Sequence, residues 1–303
     1  AHGSAGTPTP RVTAAMYGES TPLESVLYAV VGGELLHDPV ARGKFDEGLI
    51  EGRVRPFEAM ARQAIHGLGY AVPDVAVYVS FGDGCPCRPT SLCYSKPVAG
   101  DCTAELMPSY ASWHEHARWT VGELRELQAC YSKRYPSATK IERAVWRGSS
   151  TGDPVPGLEP SLNRWTALPR VQLGLLGRAY PNELDTAVVR LVQMTADQAE
   201  AARRLLAPSD ETEANRATWL HPEDFMLYRA IIDIDGNSWS SRFLGLLCQN
   251  SVVIKQRSAF TEFFSHIIRP GEHYIEVEPD LSDLVHKTRL VLRHAKDAAG
   301  RKR

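Results

Sequence analysis

Three short runs carry residue types suited to holding a diphosphate and moving a proton. In the first, a β-rich run from Val75 to Phe81 ends in the acidic glycine turn Gly82-Asp83-Gly84. A carboxylate at the carboxyl end of a strand suits a general base, although Asp also favours turns because it bonds its own backbone. The second run is Trp146-Arg147-Gly148-Ser149-Ser150-Thr151-Gly152. Glycine lets a backbone approach a phosphate and the hydroxyls donate hydrogen bonds, with a plain Ser/Gly loop as the alternative. The third is Ile231-Ile232-Asp233-Ile234-Asp235-Gly236, opening onto Asn237-Ser238-Trp239-Ser240-Ser241-Arg242 and an apolar run, Phe243 to Leu247. Arginine grips phosphate as a fork and stays charged, so Arg242 is the first anion ligand expected here. Trp239 either packs on a base or sugar or belongs to the core.

Metal chemistry has weaker support. Asp233-Ile234-Asp235 has the form of an Asp-x-Asp metal box, but three residues make a weak pattern and it is read as a strand end. His114-x-His116 is a close histidine pair without a matching third ligand, and His273 reads as structural. Six cysteines stand at 85, 87, 93, 102, 130 and 248. The first four do not follow the spacing of zinc sites, so disulfides in an oxidising compartment are expected, with zinc and free thiols as alternatives. Spacing does not assign their connectivity.

Composition narrows the class. With 303 residues and 43% hydrophobic content, the chain can form two domains or one large one. A net charge of −2 gives no electrostatic footprint for nucleic acid, and Arg301-Lys302-Arg303 reads as a solvated helix end. No apolar run is long enough to span a bilayer. The first residues, 1–15, are small, polar and proline-containing. They read as a disordered leader, and the missing initiator Met reads as processing or truncation.

The elements that must position these residues alternate in type. Helices are expected over Thr21–Val31, Pro56–His66, Val121–Tyr135, Arg170–Leu176, Ala196–Leu206, Phe243–Leu247, Phe260–His266 and Leu281–Ala295. Strands are expected over Val75–Phe81, Lys140–Trp146, Phe225–Asp233, Val252–Lys255 and Tyr274–Val277, with Pro181–Leu191 unassigned. The pattern is α/β with parallel sheets, in two Rossmann-like lobes, residues 16–135 and 136–303. In open parallel sheets, ligands sit beyond the carboxyl ends of the strands, where all three runs fall.

These runs resemble the protein O-glucosyltransferase (Rumi-like) family, glycosyltransferase family 90, which includes the fungal capsule-associated xylosyltransferases. Gly236, Ser240-Ser241-Arg242, Asn250-Ser251-Val252-Val253, Glu262-Phe263-Phe264, His273-Tyr274-Ile275 and Asp280-Leu281-Ser282 stand in the family's order. The Trp146 run resembles the family's aromatic-Arg-Gly-Ser-x-Thr box. Ahead of it, Phe81-Gly82-Asp83, Tyr94-Ser95-Lys96, Pro108 and Trp113 match more loosely, since Gly84-Cys85-Pro86 replaces an aromatic-Pro pair.

The resemblance implies a GT-B arrangement with a cleft between the lobes, residues 16–135 as the acceptor side and 136–303 as the nucleotide-sugar-binding side, and Asp83 as catalytic base. It also implies a nucleotide-sugar site made of Gly148, Ser149, Arg170, Asn237, Ser238, Trp239, Ser240, Ser241 and Arg242, with Arg164 as a rival to Arg170 and Glu262, Phe263 and Phe264 as a wall. It implies no metal and no cofactor beyond the UDP-sugar donor. The implied reaction is inverting, metal-independent transfer of glucose or xylose from a UDP-sugar to a hydroxyl of a protein serine or a glycan. A non-catalytic nucleotide-sugar or glycan binder is the alternative. The implied location is the lumen of the endoplasmic reticulum or Golgi, or outside the cell. Family members usually continue past the final helix, so the end at Arg303 reads as a shortened chain.

Overall fold

The computed structural model describes residues 25–68, 71–110, 121–152, 164–207 and 219–300. The chain separates into two compact units. One is Ala1–His114 with Phe260–Phe263; the other is Glu115–Ala259 with Phe264–Arg303. Among the described residues, no helix is long and apolar enough to cross a membrane. Trp113, His114 and His116 lie outside the described residues.

The first unit is built on a five-stranded mixed sheet. β1 (Ser25–Val31) turns back on β2 (Glu34–His37), and β3 (Val75–Ser80) pairs antiparallel with β1. β4 (Ser91–Cys93) and β6 (Glu105–Leu106) then add in parallel, giving the order β2-β1-β3-β4-β6. Gly32 and Gly33 form the two-residue hairpin at φ +58° and +85°, where a Cβ would be strained. β5 (Ser95–Pro97) pairs antiparallel with β11 (Phe260–Glu262).

Helix α1 (Arg55–Gly67) brings Phe57 against Tyr28 and Phe81, edge to face at 5.1 and 5.6 Å. Such aromatic pairs add to plain area burial.

Three expectations change in this region. Ser25–Val31 is a strand, not part of a helix, and Phe260–Glu262 is a strand where a helix was expected. The sheet of this unit is also mixed, not parallel, because the Gly32-Gly33 hairpin reverses the chain.

The second unit carries five parallel strands in the order β12-β10-β9-β7-β8. They are β7 (Ile141–Ser149), β8 (Leu184–Arg190), β9 (Tyr228–Asp233), β10 (Val252–Gln256) and β12 (Ile275–Val277). Their Val- and Ile-rich sequences suit strands buried on both faces. Trp146, Leu173, Leu184, Ile232, Ile234, Ile254, Val277 and Leu284 share one core.

The helices of this unit are α2 (Val121–Arg134), α3 (Pro169–Ala179), α4 (Ala196–Leu206), the short α5 (Phe243–Leu247) and α6 (Leu284–Gly300). β7 extends past its expected end at Trp146 as far as Ser149. Phe225 lies in a 3-10 turn, Pro222–Leu227, ahead of β9, and the unassigned stretch is β8.

From β7 the chain steps to β8 on one side, then returns to β9 on the other. Numbered within the unit, the strand order is 2-1-3-4-5. Its topological switch point lies between β7 and β9, and open α/β sheets place ligands outside the carboxyl ends of the strands at that point.

Candidate functional site

The switch point holds most of the candidate residues. Thr151-Gly152 follows β7 and Asp235-Gly236 follows β9. The two turns touch: Gly152 sits at φ +137°, and a Cβ there would lie 3.5 Å from the Gly236 carbonyl oxygen.

Arg170, in the first turn of α3, ties these turns together. Its Nε donates to the Asp235 carbonyl at 2.9 Å and its Nη2 to the Ile234 carbonyl at 3.0 Å. Its Nη1 donates to the Thr151 hydroxyl at 2.6 Å and reaches the Ser149 carbonyl at 3.4 Å. Its guanidinium also stands 5.9 Å from the Trp146 ring centroid. Leu168 caps α3 without a side-chain bond, and Pro169 starts it, so the helix begins where Arg170 can face the strand ends.

Arg242 lies at the head of α5, half-buried, and its Nη1 donates to the Arg147 carbonyl at 2.8 Å. A five-residue helix adds little field of its own, so the positive charge comes from the side chain. Among the described residues, neither Arg170 nor Arg242 makes a salt bridge within 4.0 Å. Burial, and then the Arg242 guanidinium, pull Arg170 down to about 10, against the opposing carboxylates of Asp233 and Asp235. Arg242 is also lowered, chiefly by burial. Two guanidinium groups close enough to influence one another, neither in a salt bridge among the described residues, make a place for an anion.

The remaining residues of this group divide by surroundings. Ser149 Oγ lies 3.3 Å from Thr151 Oγ1, at the end of β7 and not in a turn. The space above Gly148 is filled by an indole: a Cβ there would fall 2.6 Å from the Trp146 ring. Asn237 and Ser241 are half-buried, whereas Ser238, Trp239 and Ser240 are buried. The Ser240 hydroxyl donates to Asp233, which is inside the protein. Arg147 is also interior: it pairs with Asp185 at 2.7 Å, and the Tyr228 hydroxyl donates to the other Asp185 oxygen at 2.7 Å.

Asp83 belongs to the first unit. It follows β3, its side chain is 40% exposed, and Arg53 holds it at 3.1 Å while also donating to the Phe81 carbonyl at 2.6 Å. Arg53 also stacks on Tyr110 at 5.1 Å. The loop that begins at Asp83 is stapled by two disulfides, Cys85–Cys93 and Cys87–Cys102. The disulfide expectation therefore holds. Cys85, Cys87 and Cys102 do cluster, but their sulfurs are bonded to sulfur and offer no thiolate to zinc. Cys130 and Cys248 are free thiols.

Glu262 lies in β11, and Phe264 packs on Phe243 at 6.2 Å. His273 is structural, as expected: its Nδ1 accepts from the Arg269 amide at 3.1 Å.

Three contributors escaped the sequence reading. Thr151 stood in the quoted run, but its role as the hydroxyl under Arg170 depends on a helix that begins well downstream. Arg53 gives no local signal. Lys255 was legible only as the last residue of a Val-Val-Ile run, yet it bridges both carboxylates of the Asp-x-Asp element.

Residues 164–301 match the family model described as Glycosyl transferase family 90. Arg170 and Asn237 through Arg242 lie inside the matched region; Asp83, Gly148 and Ser149 precede it.

Among curated relatives, the chain is 24% identical over 228 residues to Protein O-glucosyltransferase 3 of Homo sapiens, covering 72% of this chain and 39% of that protein. It is 25% identical over 185 residues to Protein O-glucosyltransferase 3 of Rattus norvegicus, covering 61% of this chain and 31% of that protein. To Protein O-glucosyltransferase 2 of Danio rerio it is 26% identical over 234 residues, covering 75% of this chain and 41% of that protein. The chain thus aligns with well under half the length of each of these relatives.

Proposed function

We propose that this protein is an inverting, metal-independent glycosyltransferase that moves glucose or xylose from a UDP-sugar to an acceptor hydroxyl of a protein serine or a glycan. The observation that carries the reading is that Arg170 and Arg242 are both tied to backbone carbonyls at the β7/β9 switch point, neither in a salt bridge among the described residues, inside the region that matches family 90. In the proposed reaction the acceptor oxygen bonds to the anomeric carbon as the bond from that carbon to the diphosphate breaks. Asp83 takes the acceptor proton. The two arginines stabilise the departing diphosphate, the kind of electrostatic effect that usually dominates catalysis.

Gly148, Ser149 and Asn237 through Arg242 are proposed to contact the donor, with Ser240 acting from within through Asp233. The two compact units, each with its own sheet, support the GT-B arrangement of an acceptor-side lobe and a donor-side lobe. The two disulfides support folding in an oxidising compartment such as the secretory lumen, or outside the cell. A non-catalytic binder is the second reading, favoured by the Arg53–Asp83 ion pair, which engages the carboxylate proposed as base.

The test is UDP release from UDP-glucose and UDP-xylose with candidate acceptors, in EDTA. Asp83→Asn should slow release by about 10²–10⁴ while leaving UDP affinity unchanged, the usual size of a general base's contribution. A variant as fast as its parent removes Asp83 from the mechanism. UDP binding with no release under any acceptor establishes the binder instead.

A further inference from the structure

The Asp233-x-Asp235 pair has the form of a divalent-cation ligand set, and the structure fills it with an ammonium. Lys255 stands beside Asp233 in the parallel register of β9 and β10. Its Nζ donates to Asp233 Oδ2 at 2.9 Å and to Asp235 Oδ1 at 3.0 Å. The same nitrogen stands 4.4 Å from the centroid of the Phe243 ring, so a cation–π contact completes its surroundings. The other oxygen of Asp233 takes the Ser240 hydroxyl. Asp233, Ser240 and Lys255 are all buried.

Burial works against the Lys255 ammonium, but the two carboxylates outweigh it, and its proton is held more tightly than usual. Buried charges persist when paired, and removing one partner leaves the rest uncompensated.

We propose that Lys255 is a built-in counter-cation, seated between Asp233 and Asp235 where a divalent ion would otherwise sit, and that its removal uncovers a divalent-cation site. Without the ammonium, two carboxylates would face one another across a gap of about one ion. Hard cations with oxygen ligands, such as Mn²⁺, Mg²⁺ and Ca²⁺, fit that chemistry. The inference deepens the metal-free reading above, but its geometry stands independently of what the neighbouring arginines bind.

The experiment uses the full chain, its Lys255→Met variant and the Asp233→Asn/Lys255→Met double variant, titrated with Mn²⁺, Mg²⁺ and Ca²⁺ in turn in the absence of nucleotide. Melting is followed by calorimetry and bound Mn²⁺ by electron paramagnetic resonance. Lys255→Met should gain a saturable Mn²⁺ site and melt about 5–10 °C higher at a hundredfold excess over Kd, whereas the parent and the double variant should not. If Lys255→Met folds only when a divalent ion is present, the proposal is equally supported. A folded Lys255→Met that ignores all three ions overturns it. So does an unfolded one that none of the ions rescues, or a double variant that responds as strongly. Because no nucleotide is used, a failure of the parent to bind UDP would overturn the donor-site reading and leave this result intact.

Discussion

Arg170 shows how much one side chain can organise. Its guanidinium serves two carbonyls of the β9 turn and the hydroxyl of the β7 turn through a rigid fork. Lysine offers a single point charge and cannot reach the same acceptors in that geometry. Arg170→Lys should therefore weaken UDP binding by at least about tenfold although the charge is kept, on the scale of one charged hydrogen bond at about 1.5–3 kcal/mol; surface plasmon resonance would read it.

Lys140 gives a pH test at the same scale. Its Nζ donates to the Met226 carbonyl and, at 2.8 Å, to the Ser251 hydroxyl, and burial followed by the nearby Arg229 charge lowers its pKa to about 8. Between that value and the ordinary lysine value the unfolded chain holds the proton and the folded one does not. This group's contribution to stability therefore rises with pH across that window, and its penalty is fully present below it. Denaturant melts at pH 7.5 and 9.5 should show the parent gaining on Lys140→Met as pH rises; a constant difference would refute the assignment.

At the scale of elements, α3 lies close on β8. A Cβ on Gly177 would fall 2.1 Å from Thr186 Oγ1 and 2.9 Å from the Thr186 carbonyl oxygen. Gly177→Ala should gain up to about 1 kcal/mol of helix propensity. Overpacking against backbone costs about 1–3 kcal/mol, so the net effect should be destabilising, and chemical denaturation would show it.

How much of the elements could be read in advance follows from where their information lies. α4 matched residue for residue, because the Thr195/Gln198 capping box and an Ala-rich run are local signals. β11 did not, because three residues become a strand only by pairing with Ser95–Pro97, far away in the chain. β1 was missed for another reason. It is paired on both sides and buried nearly throughout, so it lacks the alternation that marks a half-buried strand. The Gly32-Gly33 pair after it was a readable hairpin signal. In the site, the arginines and glycine turns stood in recognisable runs. Lys255 and Arg53 did not, since their roles exist only once strand register and loop packing bring their partners beside them.

In the whole molecule, the 2-1-3-4-5 sheet of the second unit places two guanidinium groups at its switch point, neither of them in a salt bridge among the described residues. The most direct measurement is isothermal titration of UDP into the full chain and into Arg242→Ala, both in EDTA. Saturable one-to-one binding to the parent is expected, with a loss of about 2–4 kcal/mol in the variant, on the scale for truncating one partner of a buried charged contact, and with the melting curve retained. Equal affinity in parent and variant, or binding that disappears from the parent in EDTA and returns with Mn²⁺, would contradict it.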